Sequence, residues 1–392
     1  MNKMFIAVAL AIVMLSGCVL DKFQSEALLT SSIMPAKDTD ITLSQCDHSG
    51  SNMLVVCSNA GVMALNNVPA DMSGRNANVS ANSSAGDKLG VSFSSVAGGC
   101  VQDNITGLMW EVKTIDGGLH DMNKTYTNFD STTAAQKHDF ASGALSNPAQ
   151  AEIDAPSNSV GFKNRVNAQG LCGFNDWRLP TADELQSIVD YSVASPKSTI
   201  DARWFPYTRS NYYWSGSPVM GDSDYAWNVD FYNGSVIDGF RNFSAFVRLV
   251  RAGQPHISNR YTASVDGQEI TDNQTKLIWR RCAEGMVYSR GICKGKARRF
   301  TIEAALQLAA TQASSTGIAW RLPNIRELAS IVDRSRIRPA IDLEAFRPRQ
   351  PARWFWSASY PDKSWGVDFH HGVVRSGSRA GSGSVRLVRT GQ

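Results

Sequence analysis

No His-Glu-x-x-His, Gly-x-Ser-x-Gly or phosphate-loop motif occurs in the 392 residues, and no Cys-x-x-Cys pair. Histidine is scarce at six residues, never at zinc spacing, so neither a metal nor a cofactor is expected. Charge of one sign is also lacking overall, with a net charge of only +4. Apart from Met4 to Leu15, no run approaches the roughly 20 apolar residues that a membrane span needs. Together these absences speak against an enzyme and against an integral membrane protein.

What is present is one pattern written twice. Trp177-Arg178-Leu179-Pro180 is followed by Trp214-Ser215, Trp227-Asn228-Val229-Asp230-Phe231 and Val247-Arg248-Leu249-Val250-Arg251. Trp320-Arg321-Leu322-Pro323 is followed by Trp356-Ser357, Trp365-Gly366-Val367-Asp368-Phe369 and Val385-Arg386-Leu387-Val388-Arg389. Trp227 to Val247 and Trp365 to Val385 both span 20 residues, as backbone pairing in a fixed register requires. The chain is therefore a tandem of two copies of one module.

The start of the chain reads as an export signal: a basic Met1-Asn2-Lys3, the apolar run, then Leu15-Ser16-Gly17-Cys18. The last four resemble the lipobox of bacterial lipoproteins, which implies removal of residues 1–17, lipidation of Cys18 and anchoring to a membrane. Val19 after Cys18, where inner-membrane retention would want Asp, points to the outer membrane. Six further cysteines in an oxidising compartment imply disulfides. Cys100 and Cys172 both lack counterparts in the second copy, and Cys282 and Cys293 both lack counterparts in the first. Cysteines that come and go together are expected partners, which leaves Cys46 with Cys57.

Residues 18–99 read as a tether, rich in Asn, Ser, Ala and Gly from Asn66 on, with a small stapled segment near Cys57. The modules are expected at 100–254 and 255–392. Each opens with a turn and strand, Asp103 to Trp110 and Asp272 to Trp279. Thr181 with Glu184, and Asn324 with Glu327, are capped helix starts. Thr301 to Gln312 reads as an additional alanine-rich helix of the second copy. From Trp227 the period changes to two, Asn233-Gly234 reads as a tight hairpin turn, and the final Val-Arg-Leu-Val-Arg reads as a strand with its arginines on a wetter face. The fold class is α+β, about two helices and a mostly antiparallel sheet per module.

Thr106-Gly107-Leu108-Met109-Trp110, Trp177 to Thr181, Tyr213-Trp214-Ser215 and the terminal Val-Arg-Leu-Val-Arg resemble the C-terminal domain family of the Legionella collagen-like adhesin. The second copy departs with Thr275-Lys276-Leu277-Ile278-Trp279 and with Asn324 for Thr. The resemblance covers about residues 100–254 and 266–392. It implies a module similar to the C-type-lectin-like fold group, which also contains formylglycine-generating enzymes, and it implies binding of an extracellular ligand or glycan. A reactive cysteine pair of that enzyme kind is absent, because these cysteines read as staples.

The eight repeated tryptophans read as core rather than as sugar platforms. Asp230 and Asp368, near Arg248 and Arg386, read as ion-paired or turn-stabilising carboxylates, since no oxygen-rich cluster accompanies them to hold calcium. His370-His371 reads as a solvent-facing turn.

Charge separates the copies. Residues 100–254 hold 12 Lys+Arg against 17 Asp+Glu, a net of −5, whereas 255–392 hold 22 against 11, a net of +11. The second copy carries clusters at Lys294, Lys296, Arg298 and Arg299; at Arg334, Arg336 and Arg338; at Arg347, Arg349 and Arg353; and at Arg375 and Arg379. Of these, Arg334, Arg336, Arg338, Arg347, Arg349, Arg353, Arg375 and Arg379 are the candidate ligand contacts, because guanidinium pairs bidentately with sulfate, phosphate and carboxylate. The expected partner is an anionic glycan or other polyanion, with nucleic acid disfavoured for a lipid-anchored surface protein. Two alternatives stay open: a merely solvated basic face, and a face docked on the acidic first copy within a structural envelope component that contacts other envelope proteins.

Overall fold

The computed structural model describes residues 92–191, 193, 196–252, 259–359 and 364–391, with two short strands at 45–47 and 54–56. The signal segment, Cys18, Cys57 of the expected Cys46–Cys57 bridge, and the tether from residue 57 to 91 lie outside the described residues. The described residues all belong to one compact unit, Ile33–Gln392. β1 (Gln45–Asp47) and β2 (Leu54–Val56) pair antiparallel.

The first copy contains β3 (Phe93–Val96), β4 (Cys100–Asp103), β5 (Leu108–Glu111), β6 (Lys137–His138), β7 (Leu145–Ser146), α1 (Gln150–Ile153), α2 (Ser159–Gln169), α3 (Ala182–Ser187), β8 (Tyr212–Pro218), β9 (Tyr225–Asp230), β10 (Ser235–Phe240) and β11 (Val250–Ala252). The second contains β12 (Tyr261–Ala263), β13 (Glu269–Asp272), β14 (Leu277–Arg280), β15 (Met286–Ser289), β16 (Ile292–Gly295), α4 (Ile302–Thr316), α5 (Ile325–Ser330), β17 (Trp354–Trp356), β18 (Ser364–Asp368), β19 (Val373–Gly377) and β20 (Val388–Thr390).

Each copy closes on itself through a four-stranded antiparallel sheet, ordered β11-β5-β4-β3 in the first and β20-β14-β13-β12 in the second. The last strand returns to the first motif, with Val250 opposite Trp110 and Val388 opposite Trp279. The sheet of the first copy begins at Phe93, ahead of the expected boundary at 100, because the Phe93 ring packs on Trp204 and Phe205. Asp103 makes the expected turn, its Oδ1 accepting from the backbone N–H groups of Ile105 and Thr106.

The helix starts form as capping boxes. Thr181 Oγ1 accepts from Glu184 N at 3.1 Å and Glu184 accepts from Thr181 N at 2.8 Å; Asn324 and Glu327 repeat this at 2.8 Å in both directions. One helix expectation is corrected. α4 is not an addition of the second copy, since α2 begins 18 residues before Trp177, as α4 begins 18 before Trp320. The α2 sequence hides it: Gly161 is a poor helix former and the apolar residues are sparse. Gly161 is there because a Cβ would sit 2.1 Å from the Ala155 carbonyl oxygen. The turn after β9 is also longer than Asn233-Gly234 alone: Ser235 pairs with Asp230, leaving residues 231–234 as the loop.

The two copies share their third element. A six-stranded sheet runs β17-β18-β19-β10-β9-β8, a palindrome in which Val236 of β10 pairs antiparallel with Val374 of β19. These valines occupy the same position in the repeat, each nine residues after Trp227 or Trp365. A local two-fold axis therefore passes between them, the geometry of an isologous dimer held within one chain. One hydrophobic core spans the axis, with Trp227, Val229 and Val236 from one copy and Trp365, Val367 and Val374 from the other. Two smaller cores lie off the axis, one around Phe162, Trp177 and Trp214, the other around Ile302, Trp320 and Trp356. The fold is mixed, with few helices, mostly antiparallel sheets and two repeats.

Candidate ligand-binding surface

The residues that the copies share build the scaffold. Trp110, Trp177, Trp214, Trp227, Trp279, Trp320, Trp356 and Trp365 are all buried. Burying a ring of about 200 Å² is worth up to roughly 5 kcal/mol, which is why they recur. Arg178 and Arg321 each make a two-pronged bond to the capping-box glutamate, Glu184 or Glu327, at 2.6 and 2.7 Å in the first copy and 2.6 Å twice in the second. The motif Trp-Arg-Leu-Pro-x-x-x-Glu is thus a clamp between a segment bridged to the last strand of its copy and a helix start.

The wetter face expected for the terminal arginines is corrected for the first of each pair, while Arg251 and Arg389 are partly exposed and ion-paired with Asp176 and Glu269. Arg248 is fully buried, donating to the Glu111 carbonyl at 2.6 Å and to Thr208 Oγ1 at 2.7 Å, with Phe205 under its guanidinium. Arg386 is buried too, donating to the Arg280 and Arg281 carbonyls and to Gln350 Oε1. Buried backbone carbonyls need donors, and an arginine supplies several at once. Asp230 and Asp368 serve their turns, accepting from Tyr232 N and His370 N at 2.9 Å each. Burial raises the pKa of Asp230, and the turn N–H works against that.

The eight candidate arginines separate into three groups. Arg334 is a correction: its side chain is 6% exposed, bonded to Asp183 of the first copy, over the Trp227 ring and against the Gly372 carbonyl. It is a contact between the copies and offers nothing to a ligand. Arg336 and Arg379 are ion-paired at 2.8 Å, with Asp333 and Glu303. Arg338, Arg349, Arg353 and Arg375 are exposed and Arg347 half-buried, and among the described residues no carboxylate pairs with any of these five.

Backbone hydrogen bonds bring most of the last group together. Arg338 N donates to His370 O at 2.8 Å and Phe369 N donates to Arg353 O at 3.0 Å, so Arg338 and Arg353 flank the β18–β19 turn that carries His370 and His371. The equivalent places in the first copy hold Lys197, Asn211, Tyr232 and Asn233. Residues 347–353 then run to the β15–β16 hairpin, where Cys293 N meets Pro348 O and exposed Lys294 and Lys296 lie alongside. Arg338, Arg347 and Arg349 have φ of 55°, 68° and 73°, a region that costs a non-glycine residue on the order of 1 kcal/mol or more.

Trp354, which belongs to the second copy alone, went unread in the sequence because it lacks a repeat partner. It is half-buried, its ring lies against Gly366, Gly377 and Gly383, and the Arg375 guanidinium sits 5.8 Å above it. Tyr212 stands at its place in the first copy. A separate cleft of about 250 Å³ lies beside Trp320, lined by Glu269, Arg280 and Glu284. Its charges are mostly answered within the protein, since Arg280 pairs with Glu284 and Arg389 with Glu269. Among the described residues no group of three or more His, Cys, Asp or Glu side chains is placed to hold a metal, and no helix is long and apolar enough to cross a membrane.

Two of the three expected disulfides form, Cys100–Cys172 across 72 residues and Cys282–Cys293 across 11. No solved structure and no curated protein matches the chain. A family model does: the Lcl C-terminal domain matches residues 99–251 and again 268–389, so that the repeat seen in the sequence and the palindromic sheet correspond to two copies of one domain. The chain belongs to the Lcl C-terminal domain family, a family of adhesin-like bacterial surface domains, with its two members in tandem.

Proposed function

We propose that the protein is a non-enzymatic surface lipoprotein that binds an anionic glycan or a related polyanion through the second copy. The observation that carries this reading is the strip of exposed cations Arg338, Arg353, Arg349, Lys294 and Lys296, none paired with a carboxylate among the described residues. The first copy keeps a cation, Lys197, at the place of Arg338 and has Asn211 at that of Arg353. Docking between the copies does not consume it. The core packed across the axis is apolar, and of the eight candidate arginines Arg334 alone crosses the axis. Guanidinium groups held in this way meet sulfate or carboxylate without first being stripped from an internal partner. The backbone of Arg338, Arg347 and Arg349 is held in a costly conformation, a feature that favours a binding role. Each copy is proposed to be C-type-lectin-like, and Cys18 to carry the lipid that anchors the tether, with the outer membrane as the favoured site.

The test is affinity for heparin across a salt series. Binding should weaken steeply with salt, and Arg338→Ala with Arg353→Ala should lower both affinity and the salt slope, by about one unit of slope for each guanidinium removed. Arg334→Ala should leave the affinity of the folded protein unchanged. Salt-independent affinity would refute the polyanion. Recovery of Cys18→Ser protein in the membrane fraction would refute the anchor.

A further inference from the structure

The first copy carries a surface of opposite character. In the first copy Trp110 and Ser159 are 49 residues apart, whereas their equivalents Trp279 and Ile302 are 23 apart, so the first copy has 26 extra residues here. Within them the β6–β7 hairpin brings His138 and Phe140 beside Tyr225, Phe240 and Phe243 of the main body. Phe140 and Phe243 lie nearly parallel, 5.3 Å between centroids, and are 55% and 54% exposed. Phe240 stands edge-on to both at 5.0 and 5.5 Å, with Tyr225 at 4.1 Å and His138 at 4.7 Å. The second copy has Ser378 and Gly381 in place of Phe240 and Phe243.

Holding the hairpin does not require those two exposed rings. His138 N donates to Asn242 Oδ1, Asn242 Nδ2 donates back to His138 O at 2.7 Å, His138 Nδ1 meets Asp224 Oδ2 at 2.8 Å, and Ser223 Oγ donates to Ala135 O. These four bonds pin the loop, and an aromatic pair left facing water marks a contact surface.

The rim states the chemistry of the occupant. Asp139, Asp222 and Asp238 are exposed around the rings. Burial raises the pKa of the Tyr225 phenol, and Asp224, Asp238 and Asp222 raise it further, so these three carboxylates act on one side of the cluster. The local cations are engaged, Lys137 with Glu152 and buried Arg241 with Asp130. Ring faces attract cations through their quadrupole, the aliphatic stems of Lys and Arg cover apolar surface, and guanidinium stacks on aromatics. An anionic chain is repelled here.

We infer that the aromatic patch of Phe140, Phe240 and Phe243, rimmed by Asp139, Asp222 and Asp238, docks an arginine- or lysine-bearing segment of a partner polypeptide. The protein then has two faces of opposite specificity, one per copy, and this second face does not depend on the polyanion reading.

Fluorescence anisotropy of the full chain with a labelled alternating Arg-Gly dodecapeptide tests it, beside a Gln-Gly peptide of the same length. The Arg-Gly peptide should bind at least about ten-fold more tightly. Phe140→Ser with Phe243→Ser should weaken it by a similar factor while the far-UV circular dichroism and thermal midpoint hold, since both rings are surface groups. Asp222→Asn with Asp238→Asn should weaken it and flatten its salt dependence. Affinity within two-fold of wild type in the phenylalanine variant, or equal binding of the Gln-Gly peptide, overturns the proposal. So does tighter binding of a glucosamine oligomer, or self-association of the chain that the same phenylalanine changes abolish.

Discussion

Tyr191 and Arg334 stand at the same place in the two repeats and perform the same task with different chemistry. Tyr191 Oη donates to Gly234 O at 3.0 Å, and Arg334 donates to Gly372 O at 3.3 Å. Each then reaches across the local axis, Tyr191 edge-on to Trp365 at 5.1 Å and Arg334 over Trp227 at 5.1 Å. Asp183 meets Arg334, and its repeat equivalent Arg326 lies over Tyr191 and donates to the Val189 carbonyl. Position i touches position j of the other copy in both directions, as isologous contacts do. Divergence of the copies has replaced the residues at a two-fold contact while keeping its geometry.

Arg334→Ala should destabilise the fold by roughly 2–4 kcal/mol, through loss of the Asp183 pair, the Gly372 bond and packing on Trp227. Asp183→Ala should cost less, because the Arg334 guanidinium it leaves keeps the Gly372 carbonyl and the Trp227 ring face, and exposed Asp183 gives up little burial. Urea denaturation of both variants checks the order; equal midpoints would contradict a contact centred on Arg334.

At Gly161 the two levels of structure make opposite predictions. Helix propensity alone says that Gly161→Ala stabilises α2 by about 1 kcal/mol. The carbonyl oxygens of Ala155 and Asp154, 2.1 and 2.5 Å from the added Cβ, say that it destabilises. We expect a loss of at least about 2 kcal/mol, read as a lower thermal midpoint.

Glu111 is fully buried. Burial alone would raise its pKa, but Lys113 at 2.7 Å and His120 at 2.8 Å outweigh that and hold it at about 2. A carboxyl depressed in the folded state gives stability that is present above its ordinary value of 4.5 and is lost as pH falls from there toward 2. Thermal melts between pH 6 and pH 2 should show this loss in the wild type. Glu111→Gln should be less stable at pH 6 and should change less over the same range.

The two clamps differ in depth. Arg321 and Glu327 are 7% and 0% exposed, Arg178 and Glu184 41% and 22%. Arg321→Ala leaves a buried carboxylate without its arginine and should cost about 3 kcal/mol or more; Arg178→Ala leaves a wetter one and should cost about 1 kcal/mol. Paired denaturation curves test the ratio.

Spacing carried much of this in plain view. The repeat, the capping boxes, the buried tryptophans and two disulfide pairings were legible because each is a local or a counting property of the chain. α2 was missed because its one informative glycine answers a carbonyl that the sequence does not place nearby. Arg248 and Arg386 were assigned to a wet face because alternation along a strand does not say whether a face meets water.

What the sequence by itself determined is that one domain occurs twice, that the second copy is basic, and where helices start and cysteines join. Tertiary structure alone decided which cations are available. Arg334 is consumed by a carboxylate 151 positions away while Arg338, four residues on, is exposed, and no local pattern distinguishes them. It also decided that residues 138–140 and 240–243 form one aromatic surface. Whether a charge or a ring meets water depends on which distant segment arrives beside it, and that is settled only when the chain closes.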